Sequence, residues 1–379
     1  MKFSIPVQEL QGVVNLLGIT AKVNTAEVPG RILIEVSKDS VLFLSNNLST
    51  GVSILTHNVV VEEIGRTSVI FSSLKSFVSP FIAWDEEKQV GAKDFVFKGD
   101  EHNIIISVKN KYSNGKVSNG RMRLSVYNAD SIPKQTAIKN TTFTLNSDAL
   151  KAAVSKVLYC VDPNCMAASL RGMCLRFDEN DICFVGSDGK ALSEFTIGNE
   201  SEITNEAFVV KLDYVMALRR FISPDIIMNF EVSDKSIKMQ SGDVLLWGKT
   251  IVGSKFPDYK GLLTDYQHEI AVDKEVLMSN LVPFIDSLDA NDYNRLSIKI
   301  ENKKLTFYNE SGQFICDCDF NFSGEHIVDM NGLLLYKTID AIKDTIIAIR
   351  FSEEPTKNVL FDSMSYNNQK ALIVPLRRR

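Results

Sequence analysis

The stretch FVGSDGKALSEF, residues 184 to 195, places an acid, a glycine and a lysine together, as phosphate-binding loops do. A P-loop needs four residues between its first glycine and its Gly-Lys pair, followed by Ser or Thr, so that successive amides curl around the phosphates. Only Ser-Asp separates Gly186 from Gly189, and Ala191 follows the lysine. The spacing therefore argues against a P-loop.

The same segment has the pattern of two strands joined by a tight turn. Ile182 and Phe184 precede the turn residues Ser-Asp-Gly-Lys, and Leu192 and Phe195 follow them. Gly189 can adopt the positive φ that such turns require. We predict a β-hairpin here.

Other residue types that support catalysis are scattered along the chain. The four histidines, at positions 57, 102, 268 and 326, show no metal-ligand spacing, and neither G-x-S-x-G nor a strand followed by G-x-G-x-x-G is present. Asp317 and Asp319 alternate with cysteines along a predicted strand, which puts both carboxylates on one face. A strand edge that faces solvent has the same pattern without any catalytic role. No enzyme is predicted, although distant residues could still assemble a site.

Composition is that of a globular protein of two or three domains. The chain has 379 residues, of which 45% are hydrophobic and 23% charged, and a formal net charge of −5. Its six cysteines lack C-x-x-C spacing, so we expect reduced thiols and neither disulfides nor a metal site. No apolar leader or membrane-span-length run is present, so a cytoplasmic protein without membrane contact is expected. We also expect no cofactor.

Three segments repeat one pattern, a short apolar strand that leads into an amphipathic helix. They are FSIPVQELQGVVNLL, FTLNSDALKAAVSKVL and EIAVDKEVLMSNLVPFI, aligned on Leu10, Leu150 and Leu277. Each third of the chain then holds a second predicted helix, in SSLKSFVSPFIAW, KLDYVMALRRFIS and GLLLYKTIDAIKD. Alternating segments such as RILIEV, VLFLS, SIKMQ and KLTFY predict strands between them. The fold class is therefore α+β, with three similar domains, each of two helices on strand-rich sheets.

Basic residues lie on or beside these helices, mostly off the apolar stripe. They are Lys75, Lys151, Lys156, Lys211, Arg219, Arg220, Lys274, Lys337 and Lys343, with Lys22 in the loop after the first helix. Acids such as Asp148 and Asp213 are interspersed. A solvated charged face explains the pattern without function, and a DNA-binding face requires a geometry that brings several helices together.

Three motifs carry a resemblance to a known family. LRGMCLRF (170–177) followed by FVGSDGKAL is similar to L-x-G-M-x-x-x-F and A-T-D-G-H-R-L of the bacterial-type DNA sliding clamp, the beta subunit of DNA polymerase III. FPDYK (256–260) and the tail ALIVPLRRR, which is similar to Tyr-x-x-x-Pro-Met-Arg, follow in the family's order. Lys190, Ala191 and Gly261 depart from the family pattern, and such divergence would suit a virus-encoded member.

The resemblance implies that the turn, the FPDY linker and the tail form a hydrophobic pocket for peptides of polymerases, clamp loaders and repair proteins. Carried over by position, the pocket residues are Leu170, Ser187, Gly189, Leu192, Pro257, Leu262, Ile373, Val374, Pro375 and Leu376. The departures at Lys190, Ala191 and Gly261 leave the partner preference open.

The resemblance further implies three clamp domains, at 1–138, 139–265 and 266–379, and a ring of two chains. The ring would encircle duplex DNA, with the basic helix faces on its inside. Their contacts with phosphates would not depend on the base sequence. Leu124 and Val126 of one chain would meet Phe284 and Ile285 of the other. The function implied is that of a non-enzymatic polymerase processivity factor. The alternatives are a multidomain enzyme acting on a nucleotide or phosphorylated substrate, and a structural protein that never meets DNA.

Overall fold

The structure is a computed structural model, and it describes residues 1–21, 30–132, 141–221, 224–253, 255–301, 303–317, 322, 324–366 and 368–378. Six α-helices and 25 β-strands lie within these residues. The predicted α+β class, with helices recurring along a mostly stranded chain, is confirmed. Lys22 and Asp319 lie outside the described residues, so the predictions for them stay untested.

The predicted helices are all present. They are α1 (Val7–Leu17), α2 (Phe71–Val78), α3 (Ser147–Val157), α4 (Leu212–Phe221), α5 (Lys274–Ile285) and α6 (Gly332–Ala341). The 3.6-residue periodicity predicted the buried face of α1 well, since Leu10, Val14 and Leu17 are almost fully buried. Helix α2 is shorter than predicted because Pro80 has no backbone N–H to continue the ladder.

The strands of the first half of the chain begin with the one predicted at the N-terminus. They are β1 (Lys2–Pro6), β2 (Arg31–Val36), β3 (Val41–Asn46), β4 (Thr50–Thr56), β5 (Val60–Glu63), β6 (Gly65–Ile70), β7 (Gly91–Gly99), β8 (Asn103–Lys111), β9 (Val117–Ser125), β10 (Thr141–Asn146), β11 (Gly172–Phe177), β12 (Asp181–Ser187) and β13 (Ala191–Gly198). The second half continues with β14 (Glu206–Lys211), β15 (Ile227–Val232), β16 (Ser236–Ser241), β17 (Val244–Lys249), β18 (His268–Asp273), β19 (Arg295–Glu301), β20 (Lys304–Asn309), β21 (Gly312–Asp317), β22 (Glu325–Asn331), β23 (Ile346–Phe351), β24 (Val359–Ser363) and β25 (Gln369–Ile373).

Backbone contacts divide the chain into two compact units. Unit 1 comprises Met1–Ser147 and Asp213–Lys249. It holds a five-stranded sheet, β5-β1-β7-β8-β9, and an eight-stranded sheet, β10-β15-β16-β17-β4-β3-β2-β6. In the larger sheet β17 pairs antiparallel with β4, so that Leu246 lies opposite Val52.

Unit 2 comprises Asp148–Leu212 and Thr250–Arg379. It holds an eight-stranded sheet, β14-β11-β12-β13-β25-β24-β23-β18, and a four-stranded sheet, β21-β20-β19-β22. Each eight-stranded sheet joins strands from two of the three predicted domains by continuous hydrogen bonding. The compact units therefore do not follow the boundaries at 138/139 and 265/266, which stay a prediction.

Close packing of α3 on β12 explains one glycine of the opening motif. A Cβ placed on Gly186 would lie 2.7 Å from the carbonyl oxygen of Val157, at the end of the helix. A larger residue would force the helix off the sheet. Gly186 is thus part of the core.

The five cysteines that the structure describes are free, and most of them are buried. Cys160, Cys174, Cys183 and Cys316 are buried and free, and Cys165 is half-buried and free. Burial raises the pKa of Cys174 and Cys183 to about 12, so both are protonated at neutral pH.

Candidate protein-binding and DNA-binding surfaces

The Ser-Asp-Gly turn is held by its own side chains. Ser187 Oγ donates to the carbonyl of Ala191 at 2.8 Å. Asp188 Oδ1 accepts from the amides of Lys190, at 2.8 Å, and Ala191, at 2.7 Å. Gly189 has a φ of +82°. The predicted hairpin of β12 and β13 is confirmed, and the amides after the glycine are bonded to Asp188 rather than open to a phosphate.

The C-terminal tail lies directly beside this turn. Strand β25 pairs with β13 so that Leu372 is opposite Leu192, and the amide of Val374 donates to the carbonyl of Lys190 at 2.8 Å. The amide of Leu376 then donates to the backbone carbonyl of Asp329 at 2.7 Å. These bonds bring the turn and the tail together within unit 2.

Leu170 borders the same turn from the other side. Its Cδ1 lies 3.9 Å from the position that a Cβ would take on Gly189. The side chain is buried, as are those of Ser187 and Leu192. Four of the predicted pocket residues, Leu170, Ser187, Gly189 and Leu192, therefore lie in or beside one turn, and the tail runs next to it.

The two faces of the sheet separate the remaining pocket residues. Leu192 and Leu372 pack in one cluster with Tyr259 and Leu263 of the linker between β17 and β18. Ile373 is fully buried in the other cluster, among residues of α5 and α6. Successive strand residues point to opposite faces, so Leu372 occupies the linker side and Ile373 the other, and the pocket role of Ile373 stays a prediction.

Several apolar side chains of the linker and the tail are open to solvent. Leu262 is 47% exposed and Val374 is 38% exposed, and Pro257 is exposed as well. Pro375 and Leu376 are partly buried. These residues could contact a partner without disturbing the core.

A buried carboxylate joins the linker to the sheet. Glu194 on β13 is 5% exposed. Its Oε2 accepts hydrogen bonds from the hydroxyl of Tyr259 and from Lys260 Nζ, the latter at 2.8 Å. Lys260 Nζ also lies 3.6 Å from Asp178, whose other oxygen accepts from Arg176 Nε at 2.8 Å.

The electrostatics of this network fix the protonation of Lys260 and Tyr259. Burial acts to lower the pKa of Lys260, but the hydrogen bond and charge of Glu194 outweigh it, so the net shift is upward. Burial, and then the charge of Glu194, raise the pKa of Tyr259. Lys260 is therefore an ammonium and Tyr259 a neutral donor at neutral pH.

The predicted DNA-binding residues differ in exposure. Five are exposed and have no carboxylate within 4 Å in the described part of the chain: Lys151, Arg219, Arg220, Lys337 and Lys343. Lys75 and Lys211 are half-buried. In unit 1, Arg220 lines a cavity of about 310 Å³ together with Asp213 and Asn47. The five exposed cations are therefore accessible to the phosphates of a nucleic acid.

Two of the predicted DNA-binding lysines already have partners within the chain. Lys156 is 8% exposed, and its Nζ lies 4.2 Å above the ring of Phe195. Burial, and then the charge of Lys343, lower its pKa to about 8. Lys274 Nζ donates to the carbonyls of Asp340, at 3.0 Å, and Ile342, at 2.6 Å, and so neutralises the C-terminal end of α6. These contacts make both lysines less available to phosphates than the five exposed cations, and their DNA-binding role stays a prediction.

The predicted dimer residues lie on or near two sheet edges, Leu124 and Val126 at β9, and Phe284 and Ile285 on α5 beside β21. Strand β9 is an edge of the five-stranded sheet and contains Leu124, which is buried. Strand β21 is an edge of the four-stranded sheet, and its Phe314 and Ile315 are 43% and 55% exposed. Phe284 is a core residue whose ring meets that of Phe314 edge to face at 5.5 Å.

Solved structures share this architecture over the whole chain. The DNA polymerase III beta subunit of Pseudomonas aeruginosa matches with a TM-score of 0.89 and 16% identity, covering 100% of both chains. The chain has the DNA sliding-clamp fold. The beta clamp of Helicobacter pylori bound to a DNA ligase peptide has the same clamp fold, with a TM-score of 0.83, 15% identity and 100% of both chains covered.

Sequence comparison points the same way as the clamp fold. The beta sliding clamp of Buchnera aphidicola subsp. Rhopalosiphum padi is 22% identical over 286 residues, covering 74% of this chain and 77% of that protein. No family model matches the sequence. The resemblance drawn from the three motifs is confirmed.

Two further properties concern the described residues only. No three of their His, Cys, Asp and Glu side chains cluster in a way that could hold a metal ion. None of their helices combines the length and apolar character needed to cross a membrane.

Proposed function

We propose that this protein is a DNA polymerase processivity factor, a homodimeric ring that encircles duplex DNA and catalyses no reaction. The observation that carries the proposal is the full-length match to the clamp fold, with a TM-score of 0.89. Three domains, at 1–138, 139–265 and 266–379, make up each half of the ring.

Inside the ring, exposed cations of the helices hold the DNA backbone. Arg219 and Arg220 on α4, Lys151 on α3, and Lys337 and Lys343 on and after α6 make phosphate contacts that carry no sequence information. Topological linkage retains the DNA, so each contact is weak enough to permit sliding. The net charge of −5 belongs to surfaces away from these helices.

The polymerase and the clamp loader bind at the surface formed by the turn, the linker and the tail. A partner leucine or aromatic side chain would cover the exposed Leu262 and Val374, with Leu170 and Leu192 beneath. Burial of one such side chain contributes about 1.5 to 3 kcal/mol before ordering costs. The ligase peptide bound by the Helicobacter pylori clamp supports peptide binding on this fold.

Ring closure uses the edge strands β9 and β21. Strand β9 of one chain adds to β21 of the other, because an exposed edge with apolar side chains favours such augmentation. Phe314 and Ile315 then make the direct contacts, and Phe284 supports them from the core. Leu124 and Val126 lie on the opposing side of this seam.

Sedimentation velocity combined with primer extension tests the proposal. We expect a dimer at micromolar concentration that lets its cognate polymerase make long products. Ile315→Asp should be monomeric and inactive in extension, whereas Val60→Asp, an equally polar change at an exposed position of the edge strand β5, should remain dimeric. A monomeric wild type, or extension products that do not lengthen, would overturn the proposal.

A further inference from the structure

A groove lies on one face of the five-stranded sheet of unit 1, whereas the proposed ring closure uses the backbone edge of β9. Its cavity measures about 610 Å³ and lies on the face opposite the buried Phe95, Phe97 and Ile106. Residues of β7, β8 and β9 that alternate with this core line it. They include Val96, Ser107, Lys109, Lys111, Asn119 and Arg121.

A bulge in β7 brings a further cation and an aromatic ring together. The pairing of β7 with β8 shifts register between Ala92 and Phe95, so that Lys93 and Asp94 are both exposed. Lys93 Nζ lies 4.6 Å from the ring centre of Trp84, and Lys111 Nζ lies 6.0 Å from it. Trp84 thus forms one wall of a cationic groove.

The charge of the groove is unbalanced. Four cations line it, Lys93, Lys109, Lys111 and Arg121, against one acid, Asp94. Within the described residues none of the four has a carboxylate within 4 Å. Like charges gathered on one surface of a chain with net charge −5 repel one another unless an anion lies between them.

We propose that this groove binds single-stranded DNA without sequence preference, with phosphates on Lys109, Lys111 and Arg121 and a base against Trp84. Cations that follow the backbone, combined with an aromatic ring for stacking, are the elements of single-strand sites. A duplex keeps its base faces stacked inside and would leave Trp84 unused. An acidic peptide would need a deep apolar hole for an anchor, and here the exposed aliphatic lining is limited to Val96 and Val117.

Fluorescence anisotropy with a labelled 20-nucleotide oligothymidylate tests this site. Lys109→Glu combined with Arg121→Glu should weaken binding at least tenfold and reduce the log-log salt slope by about 1.4, since each single-strand contact contributes about 0.7. Lys235→Glu combined with Lys304→Glu makes the same charge change at exposed positions outside the groove, in the turn before β16 and on β20, and should bind as wild type. Equal weakening by both pairs would overturn the proposal, because it would show a general charge effect.

Two further measurements test base stacking on Trp84 and the location of the bound strand. Trp84→Leu should weaken oligothymidylate binding about tenfold while leaving the charge unchanged, and a circular dichroism melt confirms that it folds. Oligothymidylate binding should persist in the monomeric Ile315→Asp variant, which keeps the test independent of ring closure and of the sliding function. Binding of an oligoglutamate peptide in preference to oligothymidylate would overturn the nucleic-acid assignment and identify an acidic protein partner instead.

Discussion

Lys260 Nζ lies 2.8 Å from Glu194 Oε2, so the last residue of the FPDYK motif is bonded to the strand that follows the Ser-Asp-Gly turn. Tyr259 donates to the same carboxylate. A carboxylate as buried as Glu194 is stable only when it is paired, so this pair holds the linker against the sheet. The positions of the linker and the turn are thereby coupled.

Replacing Lys260 with Met should lower the free energy of unfolding by about 1 to 2 kcal/mol. The change leaves Glu194 buried without a cation, although the partly solvated ammonium makes the loss smaller than for a fully buried pair. Urea denaturation measures it. Adding Glu194→Gln to Lys260→Met should restore part of the loss. A double variant whose loss equals the sum of the losses of the two single variants would contradict a coupled pair.

The pH dependence of this pair has a defined sign. The folded-state pKa of Lys260 is raised, so its contribution is fully present below the ordinary lysine value near 10.5 and is lost as pH rises through the higher folded value. The stability difference between the wild type and Lys260→Met should therefore be constant from pH 7 to 10 and shrink above that range.

Lys156 should behave in the opposite way. Its folded pKa is lowered to about 8, so the unfolded chain binds more protons between pH 8 and 10.5, and wild-type stability gains over this window. Lys156→Met should raise the free energy of unfolding by about 1 kcal/mol at pH 7, with a smaller gain at pH 10. Lys151→Met, at an exposed position of the same helix, should change it by less than about 0.5 kcal/mol. A pH-independent difference would contradict the burial of the charge.

Changes in the tail should separate partner binding from stability. Deleting residues from 372 onward would remove Leu372 and Ile373, which are core residues, so point changes are the cleaner test. Val374→Asp and Leu376→Ser should abolish stimulation of the cognate polymerase while the dimer and its melting temperature stay nearly unchanged. Met166→Asp, at a fully solvated position, is the control. Undiminished stimulation would remove the tail from the binding surface.

Periodicity predicted the local structure of the chain. The amphipathic spacing identified the helices, and the Ser-Asp-Gly turn identified the hairpin, because both depend on residues near in sequence. The order of strands within the sheets could not be predicted this way, since the pairing of β17 with β4 depends on contacts far apart along the chain.

In the candidate sites, too, features that depend on tertiary contacts could not be predicted from local sequence patterns. Strand alternation would have placed Leu372 rather than Ile373 on the linker side, had the register of β25 been known. The burial of Lys156 and the pairing of Lys260 with Glu194 required tertiary structure, because a lysine in a helix or loop is solvated unless its environment excludes water. The groove beside Trp84 likewise depends on a bulge that no local pattern signals.

The two arginines on α4 should contribute to DNA retention. Arg219→Glu combined with Arg220→Glu should lower the salt slope of duplex binding by about two units and shorten retention on circular DNA, since each phosphate contact contributes about 0.9. The pair Lys235→Glu and Lys304→Glu is the charge-matched control. Unchanged retention would assign the arginines to a solvated face.

Retention on circular DNA before and after linearisation tests the ring most directly. Labelled protein is loaded by its cognate clamp loader onto a nicked circular plasmid and separated from free protein by gel filtration, and the plasmid is then cut once with a restriction enzyme. A ring that encircles DNA stays with the circle in high salt and leaves when the DNA acquires ends. Protein that remains bound to the linear DNA, or that leaves the uncut circle as soon as the salt is raised, would contradict encirclement.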